Sequence, residues 1–119
     1  MLDIRERDVT YSRKDFIIIN KTYGYILNLV VSVDDSGLFT IIKQLPETKY
    51  QLKKWYSNFV NKGWKIISAV YIERCEIIEE LQKKWGKSLM DFMFFGTEDF
   101  SQKLSQVHKE LGKVGKRFD

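Results

Sequence analysis

The sequence predicts one α+β domain covering residues 1–119, in which an antiparallel sheet of about four strands is covered on one face by helices. The expected element order is β-β-β-α-β-α-α. Residues 23–33 alternate between apolar and mixed positions, as a strand with one buried face does. Residues 52–60 place apolar side chains at helical spacing, as an amphipathic helix does. A chain of 119 residues can bury roughly two thirds of its unfolded surface, which is enough for a core.

The composition predicts an ordered protein of the cytoplasm. The hydrophobic fraction is 44% and there is one proline, which argues against a disordered chain. The formal charge of +4 permits an acidic partner without requiring one. The lone Cys75 excludes an internal disulfide framework and a cysteine-cluster zinc site, and neither a metal nor a cofactor is expected. The charged N-terminus does not resemble a secretory signal, and no apolar run is long enough to span a membrane.

The first half of the chain is predicted to form the sheet. Residues 1–14 are dense in charge and form either a charged arm or an edge strand, since charge guards sheet edges. Residues 15–20 are an apolar run and predict a strand. The central feature is a hairpin from Tyr23 to Leu45, with strands at 23–33 and 38–45. The Asp-Asp-Ser-Gly sequence between them favours a turn, because Asp and Ser bond their own backbone and Gly accepts positive φ.

A helix is predicted after this hairpin. Pro46 suits its first turn, where a missing N–H removes no hydrogen bond. Gly63 lies where a left-handed residue usually ends a helix. Residues 64–72 then predict a fourth strand, apolar on both faces and therefore covered on both. We expect the helix to pack on the hairpin as the centre of the core, and its apolar stripe consists of Leu52, Trp55, Tyr56, Phe59 and Val60.

Two interpretations fit the residues from Glu73 to Phe95. In the first, which we favour, the helical pattern from Glu73 continues through Leu89 and Phe92, and the helix ends or kinks near Gly86. In the second, the helix ends at Trp85 and a strand covers 89–95, because short apolar runs fit either structure.

The last helix is predicted to begin at Thr97, which is a favourable N-cap residue. Its apolar positions then step by four and three, an average close to the 3.5-residue spacing of a coiled-coil seam. This stripe either packs on the chain's own sheet or forms an interface with a second copy or another protein. The residues of that predicted interface are Phe100, Leu104, Val107, Leu111 and Val114.

No motif for catalysis is present, and the sequence favours a protein that is not an enzyme. Glycine-rich nucleotide loops, GxSxG and HExxH are all missing. His108, the one histidine, is expected at the surface or beside the seam of the last helix.

Basic residues near aromatic rings are the most informative functional feature. Such residues can follow a phosphate backbone while the rings stack on bases. The sequence therefore predicts a small nucleic-acid-binding or mobile-element accessory protein, without distinguishing DNA from RNA. A protein-interaction module that uses the last helix (a homodimer, adaptor or inhibitor) is the alternative. The predicted nucleic-acid-binding residues are Lys49, Lys53, Lys54, Lys83, Lys84, Trp85, Lys87, Lys113, Lys116 and Arg117.

Overall fold

The computed structural model describes residues 2–9, 13–34, 38–74, 83 and 90–112. These residues form an α+β fold with a five-stranded mixed sheet, so the predicted class is confirmed and the antiparallel four-stranded sheet is wrong. The elements in chain order are β1 (Leu2–Val9), β2 (Arg13–Asn20), β3 (Tyr25–Asp34), α1 (Leu38–Trp55), α2 (Ser57–Val60), β4 (Lys65–Arg74), β5 (Phe92–Phe95) and α3 (Phe100–Leu111).

The strands lie in the sheet in chain order, with β1 at one edge and β5 at the other. β1 and β2 pair antiparallel, as do β2 and β3. β3 and β4 pair parallel, and so do β4 and β5. Parallel neighbours need a crossover connection, and α1 and α2 lie in the connection between β3 and β4.

The predicted return strand at 38–45 is wrong, because these residues form the first half of α1. Ile41, Ile42 and Leu45 are buried against the sheet, and Leu52 continues the same stripe. Pro46, which the sequence places at a helix start, lies inside α1 instead. The β-branched residues at 40–42 suit a strand by propensity, but their burial follows helical spacing.

Helices cover both faces of the sheet, so the predicted cover on one face is wrong. α3 packs on one face, where Val107 and Leu111 join a cluster with Tyr25, Leu27 and Tyr71. α1 packs on the other face and buries two further apolar clusters. β4 is buried over most of its length, which confirms the prediction that both its faces are covered.

Trp55 lies outside the core. Its side chain is 65% exposed, whereas Leu52 is fully buried. α1 ends at Trp55, and the backbone of Tyr56 departs from helical geometry before α2 begins. The predicted helix through 52–60 is therefore interrupted, and Phe59 is only partly buried. Gly63 has a φ of +100°, which confirms the left-handed residue expected there.

The second half of the chain agrees with the strand interpretation of residues 92–95, which form β5. The predicted helix from Glu73 falls largely on residues outside the described ranges, and Glu73 itself belongs to β4. α3 begins after Asp99, not after Thr97. The Asp99 side chain accepts a hydrogen bond from Gln102 N at 2.9 Å, which makes Asp99 the N-cap.

Candidate functional site

The structure places three of the predicted nucleic-acid-binding residues together on the second half of α1. Lys49, Lys53 and Lys54 follow one another over little more than one turn. Lys83 is exposed and stands between residues outside the described ranges. The other predicted binding residues lie outside the described ranges, namely Lys84, Trp85, Lys87, Lys113, Lys116 and Arg117.

The outer surface of α1 combines lysines with an exposed aromatic ring. At 3.6 residues per turn, Lys53 follows Lys49 along the helix and Lys54 follows Tyr50. The Tyr50 side chain is 60% exposed, and Lys54 Nζ lies 5.6 Å from its ring centroid. Glu47 is the one acidic residue of α1, which carries four lysines. We call Lys49, Tyr50, Lys53 and Lys54 the α1 basic surface.

Beside this surface lies a cleft of about 540 Å³. It opens between α1, the α2–β4 corner and the start of β5. Three lysines and one carboxylate stand against an apolar lining, so the cleft offers positive charge and apolar walls to one ligand. We call it the basic cleft, and its described lining residues are Lys49, Lys53, Val60, Trp64, Lys65, Ile66, Ile67, Asp91 and Phe92.

Asp91 fixes one wall of the basic cleft. Its backbone N–H donates to Ser68 O at 2.8 Å. Its Oδ2 accepts from Ser68 N at 2.8 Å and from Lys49 Nζ at 2.9 Å. The pairing of β4 with β5 begins at Ala69. Asp91 therefore provides hydrogen-bond partners for the Ser68 N–H and carbonyl groups, which precede the paired residues of β4. Lys49 is thereby held at the cleft wall. The sequence pattern did not single out Asp91, because its role depends on where β5 pairs.

A row of buried polar side chains crosses the α1-facing side of the sheet between its two apolar clusters. Asn28 Nδ2 donates to Asp15 Oδ1 at 2.6 Å and to Phe16 O at 3.3 Å. Asn28 and Ser68 are register partners on β3 and β4. Within the described part of the chain, Asn28 Oδ1 and Ser68 Oγ are buried without a hydrogen-bond partner. Through Ser68, this row reaches Asp91 at the cleft.

A second cavity, of about 320 Å³, lies on the α3 side near the C-terminal ends of β3 and β4. Lys103 is buried there and forms an ion pair with Glu73. The Tyr71 hydroxyl lies 3.0 Å from Glu98 Oε2 and 2.6 Å from Gln106 Oε1, and its one proton is shared between these two acceptors. Burial and the Glu98 carboxylate raise the pKa of Tyr71 to about 12. Tyr71 is therefore a hydrogen-bond donor near neutral pH, and Lys103 and Glu73 neutralise one another in this cavity.

The predicted interface stripe of α3 lies mostly against the chain's own sheet. Val107 and Leu111 are fully buried, and Leu104 is partly buried in the same cluster. Phe100 remains 37% exposed, with its ring centroid 4.7 Å from that of Phe16. Val114 lies outside the described residues.

His108 is half-buried beside the buried Val107, which agrees with the second of its two expected positions, next to the seam of the last helix. Tyr25 Oη accepts from Asn20 Nδ2 at 3.1 Å and lies 2.6 Å from His108 Nδ1. The hydroxyl donates to Nδ1 where the imidazole carries its proton on Nε2, and it accepts from Nδ1 in the other tautomer. Burial lowers the pKa of His108. This histidine joins α3 to β3 and contacts neither cavity.

Across the described ranges, no three His, Cys, Asp or Glu side chains converge as a metal ion requires. None of the helices in those ranges has the length and apolarity needed to cross a membrane. No protein-family model matches this chain, and no curated protein or solved structure is significantly similar to it. Its function is therefore inferred from its own residues.

Proposed function

We propose that the protein binds single-stranded nucleic acid through the α1 basic surface, with the basic cleft beside it. The observation that carries this proposal is the exposed Tyr50 ring, which shares one helix surface with Lys53 and Lys54. Proteins that bind single strands combine cationic side chains, which follow the backbone, with aromatic rings on which bases stack. An exposed ring beside lysines supports a single strand over a duplex, whose bases are already stacked.

The charges of α1 support contacts with phosphate groups. Lys53 makes no ion pair with another described residue, and within the described ranges the charged group of Lys54 interacts with the Tyr50 ring and with no carboxylate. Lys65 adds a third cation at the mouth of the cleft. Each phosphate neutralised on a single strand contributes about −0.7 to the slope of log K against log salt concentration. Contacts with three phosphates therefore predict a slope of about −2.

Fluorescence anisotropy with labelled single-stranded DNA, single-stranded RNA and duplex DNA tests this proposal. The titrations are run at three salt concentrations, on protein of known mass in solution. We expect binding to a single strand that weakens steeply as salt rises. Absence of binding at low salt, or affinity that does not depend on salt, would overturn the proposal.

Lys53→Glu, compared with Lys109→Glu, tests where the strand binds. Both variants reverse one exposed lysine on a helix and change the net charge equally, but Lys109 lies on α3, on the other face of the sheet. Lys53→Glu should weaken binding and reduce the salt slope by about 0.7–1. Equal losses in the two variants would show a general charge effect and remove the α1 surface from the proposal.

Tyr50→Ala tests the stacking contribution, which net charge does not supply. Stacking of one base on an aromatic ring contributes about 1–3 kcal/mol. The variant should therefore bind about 5- to 150-fold more weakly, with an unchanged salt slope. Unchanged affinity would exclude Tyr50 as a stacking ring.

A second candidate function is self-association through the outer face of α1, and the exposed Trp55 favours it. Exposed tryptophans are frequent anchors of protein interfaces. Trp55 borders a shallow groove with Gln44, Glu47 and Gln51, on the opposite flank of α1 from the basic cleft. Sedimentation equilibrium of the wild type and of Trp55→Lys tests this function. A dimer that the substitution dissociates would support it, and a wild-type monomer would reject it.

A further inference from the structure

We infer that the basic cleft takes one nucleotide of the bound strand and selects bases that carry an exocyclic amino group, with Asp91 as the hydrogen-bond acceptor. This inference rests on the proposed function and adds base preference to it. The α1 basic surface explains binding without sequence preference, because lysines and a stacking ring accept any base. Asp91 is the feature of the cleft that those contacts leave unexplained.

The dimensions of the cleft suit a nucleotide. Its volume of about 540 Å³ falls in the range of about 300–1,000 Å³ that small-molecule sites occupy. Val60, Trp64, Ile66 and Phe92 supply apolar walls. Trp64 packs against Phe59, with ring centroids 4.5 Å apart and the ring planes tilted by 33°. A planar base can therefore enter between fixed apolar side chains without a rearrangement of the core.

Three lysines line the cleft and offer ammonium groups to the sugar–phosphate backbone of the nucleotide. Lys53 belongs to both the cleft lining and the α1 basic surface. A strand that contacts Tyr50 can therefore extend to the cleft while its phosphate groups remain close to lysines. Lys65 lines the cleft at the start of β4. Lys49 is fixed by its ion pair with Asp91, and this pair positions an ammonium group without consuming the second carboxylate oxygen.

Asp91 supplies the base preference. Its Oδ2 already accepts two hydrogen bonds, from Ser68 N and Lys49 Nζ. Oδ1 accepts none from the described residues, and the Asp91 side chain is 32% exposed. An ionised carboxylate accepts hydrogen bonds and cannot donate them. Oδ1 therefore matches the exocyclic amino group of cytosine, adenine or guanine, and cytosine and adenine serve as the test bases.

Thymine and uracil fit this acceptor poorly. The edge of each that pairs with other bases presents two carbonyl oxygens on either side of one N–H, so a carboxylate that approaches the N–H also meets both oxygens. Hydrogen bonds to charged groups are stronger than neutral ones. We therefore expect strands that place cytosine or adenine in the cleft to bind on the order of tenfold more tightly than oligothymidine.

The test compares labelled oligothymidine with the same oligonucleotide in which alternate positions are cytosine or adenine, by anisotropy at one salt concentration and neutral pH. A preference for the amino-bearing strands supports the inference. Equal binding of all three strands overturns the inference and leaves the proposed function intact. Failure to bind any strand overturns the proposed function and this inference with it.

Asp91→Asn tests whether Asp91 causes the preference. The amide oxygen can still accept from Ser68 N, while the amide nitrogen becomes a donor that suits the thymine carbonyl groups. The variant should lose or invert the base preference while it still binds oligothymidine. A circular dichroism melt checks that it is folded, and Lys109→Glu serves as the control that keeps the wild-type preference. Retention of the full preference in Asp91→Asn would overturn the role of Asp91.

Discussion

Leu52 and Trp55 lie close together on α1 but differ in burial, so their substitutions should differ in their effect on stability. Leu52→Ala should lower the free energy of unfolding by about 2–5 kcal/mol, because it leaves a cavity among packed side chains. Trp55→Ala should change that free energy by less than about 0.5 kcal/mol, because the ring is exposed. Urea unfolding of both variants measures the difference. A larger loss for Trp55→Ala would place the tryptophan in the core, as the helical spacing in the sequence had predicted.

His108 should make stability depend on pH. Burial lowers the pKa of His108 in the folded protein, whereas an unfolded histidine has a pKa of about 6.5. Below pH 6.5 the unfolded chain therefore binds more protons than the folded one, and stability falls as pH drops toward the folded pKa. Above that range this group contributes no pH dependence. Burial raises the pKa of Tyr25, so its hydroxyl is neutral in this range and supplies no negative charge to stabilise an imidazolium.

Urea unfolding at pH 7.5 and pH 5.5 measures this effect, with His108→Gln as the control. His108 is the one histidine of the chain, so few other groups change their charge in this interval. The wild type should lose stability between the two pH values, and the variant should lose clearly less. An equal loss in both proteins would assign the effect to carboxylates instead.

Among the elements, α1 contains a conflict between local sequence and tertiary structure. Pro46 lies inside the helix and is exposed. It removes the N–H that would bond to the Ile42 carbonyl, and its ring crowds that carbonyl. Pro46→Ala should raise the free energy of unfolding by about 1–2 kcal/mol, once the greater freedom of the unfolded alanine chain is subtracted. Thermal unfolding checks this, and a lower melting temperature would contradict a continuous α1.

The elements that the sequence predicts well are those whose apolar residues either alternate regularly or occupy both faces of a strand. Residues 23–33 alternate because α3 covers one side of β3 with a uniform apolar cluster. β4 is apolar on both faces because helices pack on both, and its sequence shows this directly. The prediction for residues 38–45 is wrong because the β-branched residues there favour a strand by propensity, whereas the apolar spacing fits a helix. Ile41, Ile42 and Leu45 pack on the sheet at helical spacing, and this packing stabilises the helix.

At the scale of the whole molecule, the wrong strand prediction for residues 38–45 is also the reason that the parallel half of the sheet was not predicted. Once 38–55 is a helix, the chain crosses over the sheet and returns as a parallel strand, which local sequence cannot show. The candidate site likewise contains residues that the local sequence identifies and residues that depend on how the strands pair. The sequence identifies Lys49 and Lys53, because basic residues near aromatic rings are visible in a list. It cannot identify Lys65 and Asp91, which reach the cleft through the start of β4 and the approach to β5.

The layer formed by α3, on the opposite face of the sheet from α1, is either part of the core or an interface between chains, and two substitutions distinguish these cases. Leu111 is fully buried, and α3 covers the sheet face that Tyr25 and Tyr71 occupy. Leu111→Lys places a charge in that layer, so the chain should lose its tertiary structure, because a buried unpaired ammonium is strongly destabilising. Phe100→Lys, on the exposed end of the same stripe, should remain folded. Near-UV circular dichroism and sedimentation of the two variants decide the case. A folded, monomeric Leu111→Lys would mean that α3 serves an interface between chains and that the sheet is stable without it.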